Sequence, residues 1–282
     1  MPPIHAHTWF PTRNRTSRPT RIDGRADSPA NMTREIVSPA PTAETTCSVV
    51  VGIPAYNEEA TIEDIVTEAH AYVDDVIVVD DGSSDRTAAL ARTAGATVVE
   101  HGQNRGYGSA LQTIFTEADE RDVDHLAILD ADGQHDPSDL ARIVEAQHST
   151  GASVVIGSRF APGSESDAPL YRRFGLSVIN TLTNFGLQLA YATPRISDTQ
   201  SGFRIYDADA IATMSQSETL GEGMDASIDI LFEAAEAGHE IVEAPINITY
   251  DVQDANTHNP VVQGLVLLVN IFSRVYNERR LG

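Results

Sequence analysis

Short apolar runs alternate with helix-length segments over the first half of the chain, and this pattern constrains the fold most strongly. Runs without polar interruption are typical of strands buried on both faces, as in a parallel sheet covered by helices. Strands are predicted at 47–53, 76–80, 96–100, 126–130 and 153–157, and helices at 59–72, 85–94, 107–120 and 139–148. We therefore predict an α/β fold with a Rossmann-like, mostly parallel sheet flanked by helices, which binds ligands at the carboxyl ends of its strands.

The regular alternation stops after Gly157, where a long helix at 171–190, a polar loop, further helices and a strand at 240–246 are predicted. Residues 47–260 are accordingly predicted to form a single catalytic domain. Residues 1–46 contain seven of the 14 prolines and little apolar periodicity, which predicts disorder, and Met32 is a candidate for the true translation start. Residues 261–282 are predicted to form an amphipathic C-terminal helix.

The charge of the chain excludes some functions. There are 41 acidic residues against 19 basic ones, all of them arginine, and the formal net charge of −22 predicts a surface that repels nucleic acid. Acidity spread along the chain is typical of a protein from an extreme halophile, where carboxylates maintain solubility. Cys47 is the only cysteine, which excludes a disulfide scaffold and favours a cytoplasmic location.

Carboxylates follow two of the predicted strands. The second strand leads into Asp80-Asp81-Gly82-Ser83-Ser84-Asp85, and the fourth leads into Asp130-Ala131-Asp132-Gly133-Gln134. Two carboxylates separated by one residue, with a nearby amide, present the hard oxygen ligands that Mg²⁺ or Mn²⁺ prefers. Asp130, Asp132 and Gln134 are therefore the predicted metal ligands.

Together with Pro54-Ala55-Tyr56-Asn57-Glu58, Gly157-Ser158-Arg159 and the segment 197–204, these motifs resemble the inverting family 2 glycosyltransferases, which have a GT-A fold. The segment 197–204, Ser-Asp-Thr-Gln-Ser-Gly-Phe-Arg, is similar to the dolichol-phosphate mannosyltransferase branch, which transfers a hexose from a nucleotide sugar to a polyprenyl (dolichyl) phosphate. The resemblance covers about residues 49–250. It implies metal-assisted single displacement with inversion, feeding lipid-linked glycan assembly and protein glycosylation.

The resemblance also implies roles for individual residues. Residues implied to bind the nucleotide are Pro54, Ala55, Tyr56, Glu58, Asp80, Asp130 and Ala131. Residues implied to act on the acceptor side during catalysis are Arg159, Arg172, Arg173, Ser201 and Arg204.

The residues leave several alternatives open. A phosphate acceptor is already ionised near neutral pH and needs no general base, whereas a hydroxyl acceptor on a soluble molecule or glycan would need one, with Glu222 or Asp225 as candidates. Residues 251–260 lack the basic residues found in relatives, so His258 is the nearest substitute and UDP-glucose is as good a donor as GDP-mannose. A non-catalytic module that binds nucleotide sugars is a further alternative.

The apolar stretch 261–272 is shorter than the roughly 20 residues that span a bilayer. We therefore expect a peripheral enzyme on the cytoplasmic face of the membrane, with a membrane protein as a possible recruiter.

Overall fold

The computed structural model describes residues 47–164, 170–217, 220 and 226–247, and for residues 170–175 it describes the backbone alone. The predictions for residues 1–46, for Glu222, Asp225 and His258, and for residues 261–282 lie outside the described residues. Within the described part of the chain, no helix combines the length and the hydrophobicity needed to cross a membrane.

Seven strands and seven α-helices are described, as well as a 3₁₀ helix at Pro137–Asp139. The strands are β1 Val49–Ala55, β2 Asp75–Asp80, β3 Thr97–Glu100, β4 His125–Ile128, β5 Val154–Ser158, β6 Arg204–Asp207 and β7 Ile241–Pro245. The helices are α1 Ile62–Ala69, α2 Thr87–Thr93, α3 Tyr107–Glu120, α4 Leu140–Thr150, α5 Leu170–Tyr191, α6 Ala208–Ser215 and α7 Ala226–Glu236. The predicted strands and the four predicted helices of the first half are confirmed, with boundaries that shift by up to three residues.

The strands form one sheet in the order β3-β2-β1-β4-β6-β5-β7. Pairing is parallel throughout except at β6, which is antiparallel to both of its neighbours, β4 and β5. The mostly parallel sheet is therefore confirmed, whereas the sequence did not predict β6. The irregular segment that follows the long helix ends at Arg204, the first residue of β6, which pairs with Ile128.

Both faces of the central strands are buried, which explains their uninterrupted apolar runs. In β1, Val49, Val51 and Ile53 pack on the side of α1 and α4, whereas Val50 packs on the side of α3 and α6. A Cβ at Gly52 would lie 2.2 Å from the Ile114 side chain, so α3 rests directly on the β1 backbone. Because helices cover the faces of the sheet, a ligand can approach at the carboxyl ends of the parallel strands, which we call the open edge.

The start of β6 also lies at this edge, because an antiparallel strand enters the sheet where its neighbour β4 ends. The edge therefore presents, in spatial order, the loops after β3, β2, β1 and β4 and then the segment before β6. Residues far apart in the chain meet there.

Candidate active site

A cleft of about 480 Å³ opens along this edge of the sheet. Each loop named above contributes to its wall, and α7 contributes Ser227. The lining residues are Pro54, Ala55, Tyr56, Glu58, Asp81, Asn104, Gly106, Tyr107, Ala110, Asp130, Ala131, Asp132, Gln200, Gly202 and Ser227.

The loop after β1 is fastened to the loop after β2. Asn57 has a φ of 57°, a left-handed conformation that asparagine tolerates better than most residues. Its amide donates to Ser83 Oγ at 2.8 Å, and its side-chain oxygen accepts from the Ser84 amide at 2.8 Å. Tyr56, just before this bend, is 48% exposed and lines the cleft. An aromatic ring held in an open cleft offers a stacking surface for a planar ligand.

At the end of β2, the two neighbouring aspartates have different surroundings. Asp80, predicted to contact the nucleotide, is buried, and its Oδ1 accepts from the Ser83 amide at 3.3 Å. Asp81 forms the cleft wall instead. Its carboxylate accepts from the Arg105 and Gly106 amides at 2.9 and 2.8 Å, which fixes the turn before α3.

His101 lies behind Asp81 and supports it. Its Nδ1 is 2.6 Å from Asp81 Oδ1, and its Nε2 is 2.9 Å from the Thr113 hydroxyl. His101 therefore links Asp81 to α3, the helix that contains Thr113.

Asp130 follows β4 and is held by Tyr107, the first residue of α3. The Tyr107 hydroxyl donates to Asp130 Oδ1 at 2.9 Å. Burial raises the pKa of Asp130, although the Tyr107 hydrogen bond and the Arg159 and Arg204 charges act in the opposite direction. Burial and the adjacent carboxylate raise the pKa of Tyr107 well above its ordinary value. The phenol therefore remains protonated and keeps its role as donor.

Asp132 points into the open part of the cleft. Its Oδ1 accepts from the Gln134 amide at 2.9 Å. Burial against the cleft walls raises the pKa of Asp132; that hydrogen bond lowers it, and the Asp130 carboxylate raises it again. Thr61 at the start of α1 fastens this loop, because its hydroxyl donates to the Ala131 carbonyl at 2.6 Å.

The residues of this corner fit a divalent cation. Among the described residues, no cluster of three or more His, Cys, Asp or Glu side chains has the geometry of a metal site. Mg²⁺ sites that serve phosphates, however, use one or two carboxylates, and the ligand's phosphates and water supply the other oxygens. Asp130 and Asp132 provide two such carboxylates, each with an ionised form that its surroundings disfavour. A cation would relieve this cost.

In the segment before β6, Asp198 forms a bidentate ion pair with Arg159. Arg159 Nε and Nη2 each donate to an Asp198 oxygen at 2.6 Å, and Asp198 is fully buried. Glu243 of β7 supports the pair from below, since it accepts from the Ser197 amide and hydroxyl and from the Asp198 amide at 2.7 to 3.0 Å. The acceptor-side role of Arg159 stays a prediction; in the structure its guanidinium holds the segment before β6 through Asp198.

Two asparagines of α5 fix the same segment. The Asn184 amide exchanges hydrogen bonds with the Ile196 backbone at 2.7 Å in both directions. Asn180 donates to the Ser197 carbonyl at 2.6 Å and accepts from the Thr199 amide and hydroxyl at 3.1 and 2.7 Å. The two side-chain amides form the backbone hydrogen bonds that a neighbouring strand would otherwise provide, so the irregular segment before β6 is held rigidly.

Ser201 and Arg204 are also occupied within the protein. The Ser201 hydroxyl donates to the Gly157 carbonyl at 2.6 Å, and Arg204 is 1% exposed. Arg204 donates to the Ser201 and Thr199 carbonyls at 2.8 and 3.1 Å, whereas its Nη1 has no partner among the described residues. Of Arg172 and Arg173, only the backbone is described, in the first turn of α5.

His135 lies next to Asp130, with its Nε2 3.9 Å from Asp130 Oδ2. It stacks on Phe203 with ring centroids 5.2 Å apart, and burial lowers its pKa to about 4. It is therefore neutral near pH 7. Its Nδ1 has no hydrogen-bond partner within the described part of the chain.

Sequence reasoning missed several residues that line the cleft or support the segments around it, namely Tyr107, His135, Asp198, Gln200, Asn180, Asn184 and Glu243. Only Asp198 and Gln200 lay within a motif that had been singled out. The others carried no signal that distinguished them from ordinary helix or strand residues.

Comparison with known proteins is consistent with this architecture. Glycosyl transferase family 2 matches residues 50–214. Polyprenol monophosphomannose synthase of Mycolicibacterium smegmatis is 33% identical over 217 residues, which cover 74% of this chain and 80% of that protein. UDP-N-acetylglucosamine–dolichyl-phosphate N-acetylglucosaminyltransferase of Methanococcus voltae is 30% identical over 218 residues, which cover 70% of this chain and 84% of that protein.

Among solved structures, this chain is similar to glucosyl-3-phosphoglycerate synthase from Mycobacterium tuberculosis, in a crystal structure with Mn²⁺, UDP and glucosyl-3-phosphoglycerate. Its TM-score is 0.59 at 18% identity, with 82% of this chain and 80% of that chain covered. The predicted GT-A-type fold and the predicted glycosyltransferase enzyme are confirmed. Because the family match covers more than half of the chain and both relatives match over most of their lengths, the chain belongs to glycosyl transferase family 2.

Proposed function

We propose that this chain transfers a hexose from a nucleotide diphosphate sugar to a polyprenyl or dolichyl phosphate with inversion, feeding lipid-linked glycan assembly. The observation that carries the proposal is the pair of carboxylates, Asp130 and Asp132, which line the cleft where the loop after β4 meets the segment before β6. Relatives whose names include polyprenol and dolichyl-phosphate acceptors support the choice of acceptor.

The nucleoside would occupy the end of the cleft formed by the loops after β1, β2 and β3. Tyr56 offers its exposed ring to the base, and Glu58 offers a carboxylate to ribose hydroxyls. Pro54, Ala55 and Ala131 provide the apolar floor beneath them. Asp80 would act from behind this surface, since its buried carboxylate holds the turn at Ser83.

Asp130 and Asp132, with Gln134 beside them, would hold Mg²⁺ or Mn²⁺ against the diphosphate. When bound, such a cation neutralises the negative charge that develops on the departing nucleoside diphosphate. Tyr107 keeps the Asp130 carboxylate in a single orientation. The chain's own contribution is therefore a preorganised pair of oxygen ligands.

The acceptor phosphate carries at least one negative charge near neutral pH, because its second pKa is about 6. One of its oxygens attacks the anomeric carbon from the face opposite the diphosphate. The new carbon–oxygen bond forms as the bond to the diphosphate breaks, so the configuration inverts and no side chain has to remove a proton. The enzyme mainly has to align two anions that repel each other.

Alignment on the acceptor side depends on a rigid wall. Arg159, Ser201 and Arg204 would serve the acceptor by holding the segment before β6, because each of them donates hydrogen bonds to protein groups there or beside it. Arg172 and Arg173, at the start of α5, are the proposed direct contacts of the acceptor phosphate. UDP-glucose and GDP-mannose are the proposed donors, and the proposed location is the cytoplasmic face of the membrane, with a membrane protein as a possible recruiter.

The proposal is tested by incubating the full chain with Mn²⁺, dolichyl phosphate and radiolabelled UDP-glucose or GDP-mannose, followed by organic extraction. We expect acid-labile label in the organic phase. Asp132→Ala should reduce this transfer at least about a hundredfold, as expected when a group that stabilises transition-state charge is removed.

Asp64→Ala is the matched control, because Asp64 is an exposed aspartate on α1. It should transfer as fast as the wild type. Label that appears only in a water-soluble product would contradict the lipid acceptor, and a folded Asp132→Ala variant with normal activity would contradict the metal role.

A further inference from the structure

We infer that Gln200 is the side chain that contacts the transferred sugar and helps to select it. This inference rests on the proposed function and adds a specificity-determining residue to it. Gln200 lines the same cleft as Asp132 and Gly202, and its side chain has no hydrogen-bond partner among the residues that the structure describes.

The position of Gln200 follows from the sheet. Along the open edge, the loops after β2 and β1 come first, then Asp130 and Asp132 after β4, and then the segment before β6. A nucleotide sugar that places its base beside Tyr56 and its diphosphate at the two aspartates extends its sugar toward that segment. Gln200 is the polar side chain with which this segment lines the cleft.

The residues on both sides of Gln200 are fixed. Thr199 donates to Asn180 through its amide and its hydroxyl, and Ser201 donates to the Gly157 carbonyl. Both neighbours are almost fully buried. The backbone at Gln200 is therefore held in place while its side-chain amide remains available, so a substrate contact made there orders the side chain but not the backbone.

The chemistry of the amide favours a sugar over a phosphate. A carboxamide donates two hydrogen bonds and accepts others, which matches hydroxyl groups that do both. Phosphate is better matched by a charged, bidentate guanidinium. A neutral amide also avoids adding another negative charge to a cleft that already contains Asp130 and Asp132.

The test measures binding, so that it does not depend on the acceptor. Isothermal titration in Mn²⁺ buffer compares UDP with UDP-glucose and GDP with GDP-mannose, for the wild type, Gln200→Ala and Gln188→Ala. Gln188 is an exposed glutamine on α5, outside the cleft lining, and provides the matched control. Equal unfolding temperatures would show that all three proteins fold.

For the nucleotide sugar that the wild type binds, we expect Gln200→Ala to weaken binding about three- to tenfold, the size of one net hydrogen bond. Binding of the corresponding nucleoside diphosphate should stay unchanged, and Gln188→Ala should match the wild type for both. Unchanged binding of the nucleotide sugar, or equal weakening of both ligands, would overturn the role of Gln200. A wild type that binds none of the four probes would refute the proposed function itself.

Discussion

Replacing Gly202 with alanine tests how tightly the metal corner is built. The methyl group would lie 2.6 Å from Asp130 Oδ2 and 2.9 Å from the Tyr107 hydroxyl. Ordinary contact begins near 3.4 Å, so the atoms must separate by about 0.8 Å, the difference between 3.4 and 2.6. Gly202 is required because its backbone approaches the Asp130 carboxylate and the Tyr107 hydroxyl too closely for a side chain.

The carboxylate has to make most of this movement. On one side of Gly202, Ser201 is bound to the Gly157 carbonyl, and on the other side Arg204 is paired with Ile128 in the sheet. Crowding of this kind costs about 1–3 kcal/mol of stability. Displacement of a catalytic group by about 1 Å can cost about a hundredfold in rate. We therefore expect a tenfold to hundredfold loss of transfer from Gly202→Ala.

The assay combines initial rates of transfer, measured at saturating Mn²⁺, with thermal unfolding of the metal-free protein. At about 2–4 °C per kcal/mol for a domain of this size, the melting temperature should fall by roughly 2–12 °C and the protein should remain folded at 25 °C. Gly102→Ala is the control, because a Cβ there meets no atom within 4 Å. A Gly202→Ala variant as active as Gly102→Ala would refute the claim that close packing at Gly202 positions Asp130.

Two further substitutions examine the contacts on either side of the cleft. Tyr107→Phe keeps the ring but removes the hydroxyl that orients Asp130, so we expect kcat in steady-state assays to fall about tenfold with little change in stability. The control, Tyr72→Phe, should leave kcat unchanged. Equal kcat values for the two variants would contradict the orienting role of Tyr107. Asp198→Asn leaves the Arg159 guanidinium without its buried charged partner and should lower the free energy of unfolding, measured in urea, by about 3 kcal/mol. The control, Glu59→Gln, breaks the exposed ion pair with Arg86 and should lower it by less than about 1 kcal/mol. Equal losses in the two variants would contradict a stabilising role of the buried ion pair.

The sequence was sufficient to predict the parallel half of the fold, for a physical reason. Strands buried on both faces leave uninterrupted apolar runs, and acids directly after such runs must lie at the open edge. The positions of Asp81, Asp130 and Asp132 at one edge follow from this pattern.

The remainder depends on contacts that the local sequence does not reveal. β6 has four residues and contains Arg204, so its composition resembles a loop more than a strand. Asn180 and Asn184 look like ordinary polar positions of a helix, because their partners lie 12 to 19 residues further along the chain. Tyr107 gains its role only when the fold brings it to Asp130.

The antiparallel insertion of β6 also changes how the arginine after β5 should be understood. β6 lies between β4 and β5, so the ends of those two strands are two strand spacings apart, about 9–10 Å. The segment before β6 fills this gap, and Arg159 reaches it through Asp198. A loss of activity on substitution of Arg159 would therefore not by itself assign a contact with the acceptor. If Asp198→Asn, which keeps the guanidinium, reduces transfer equally, the ion pair acts by holding the wall that presents Gln200 to the cleft.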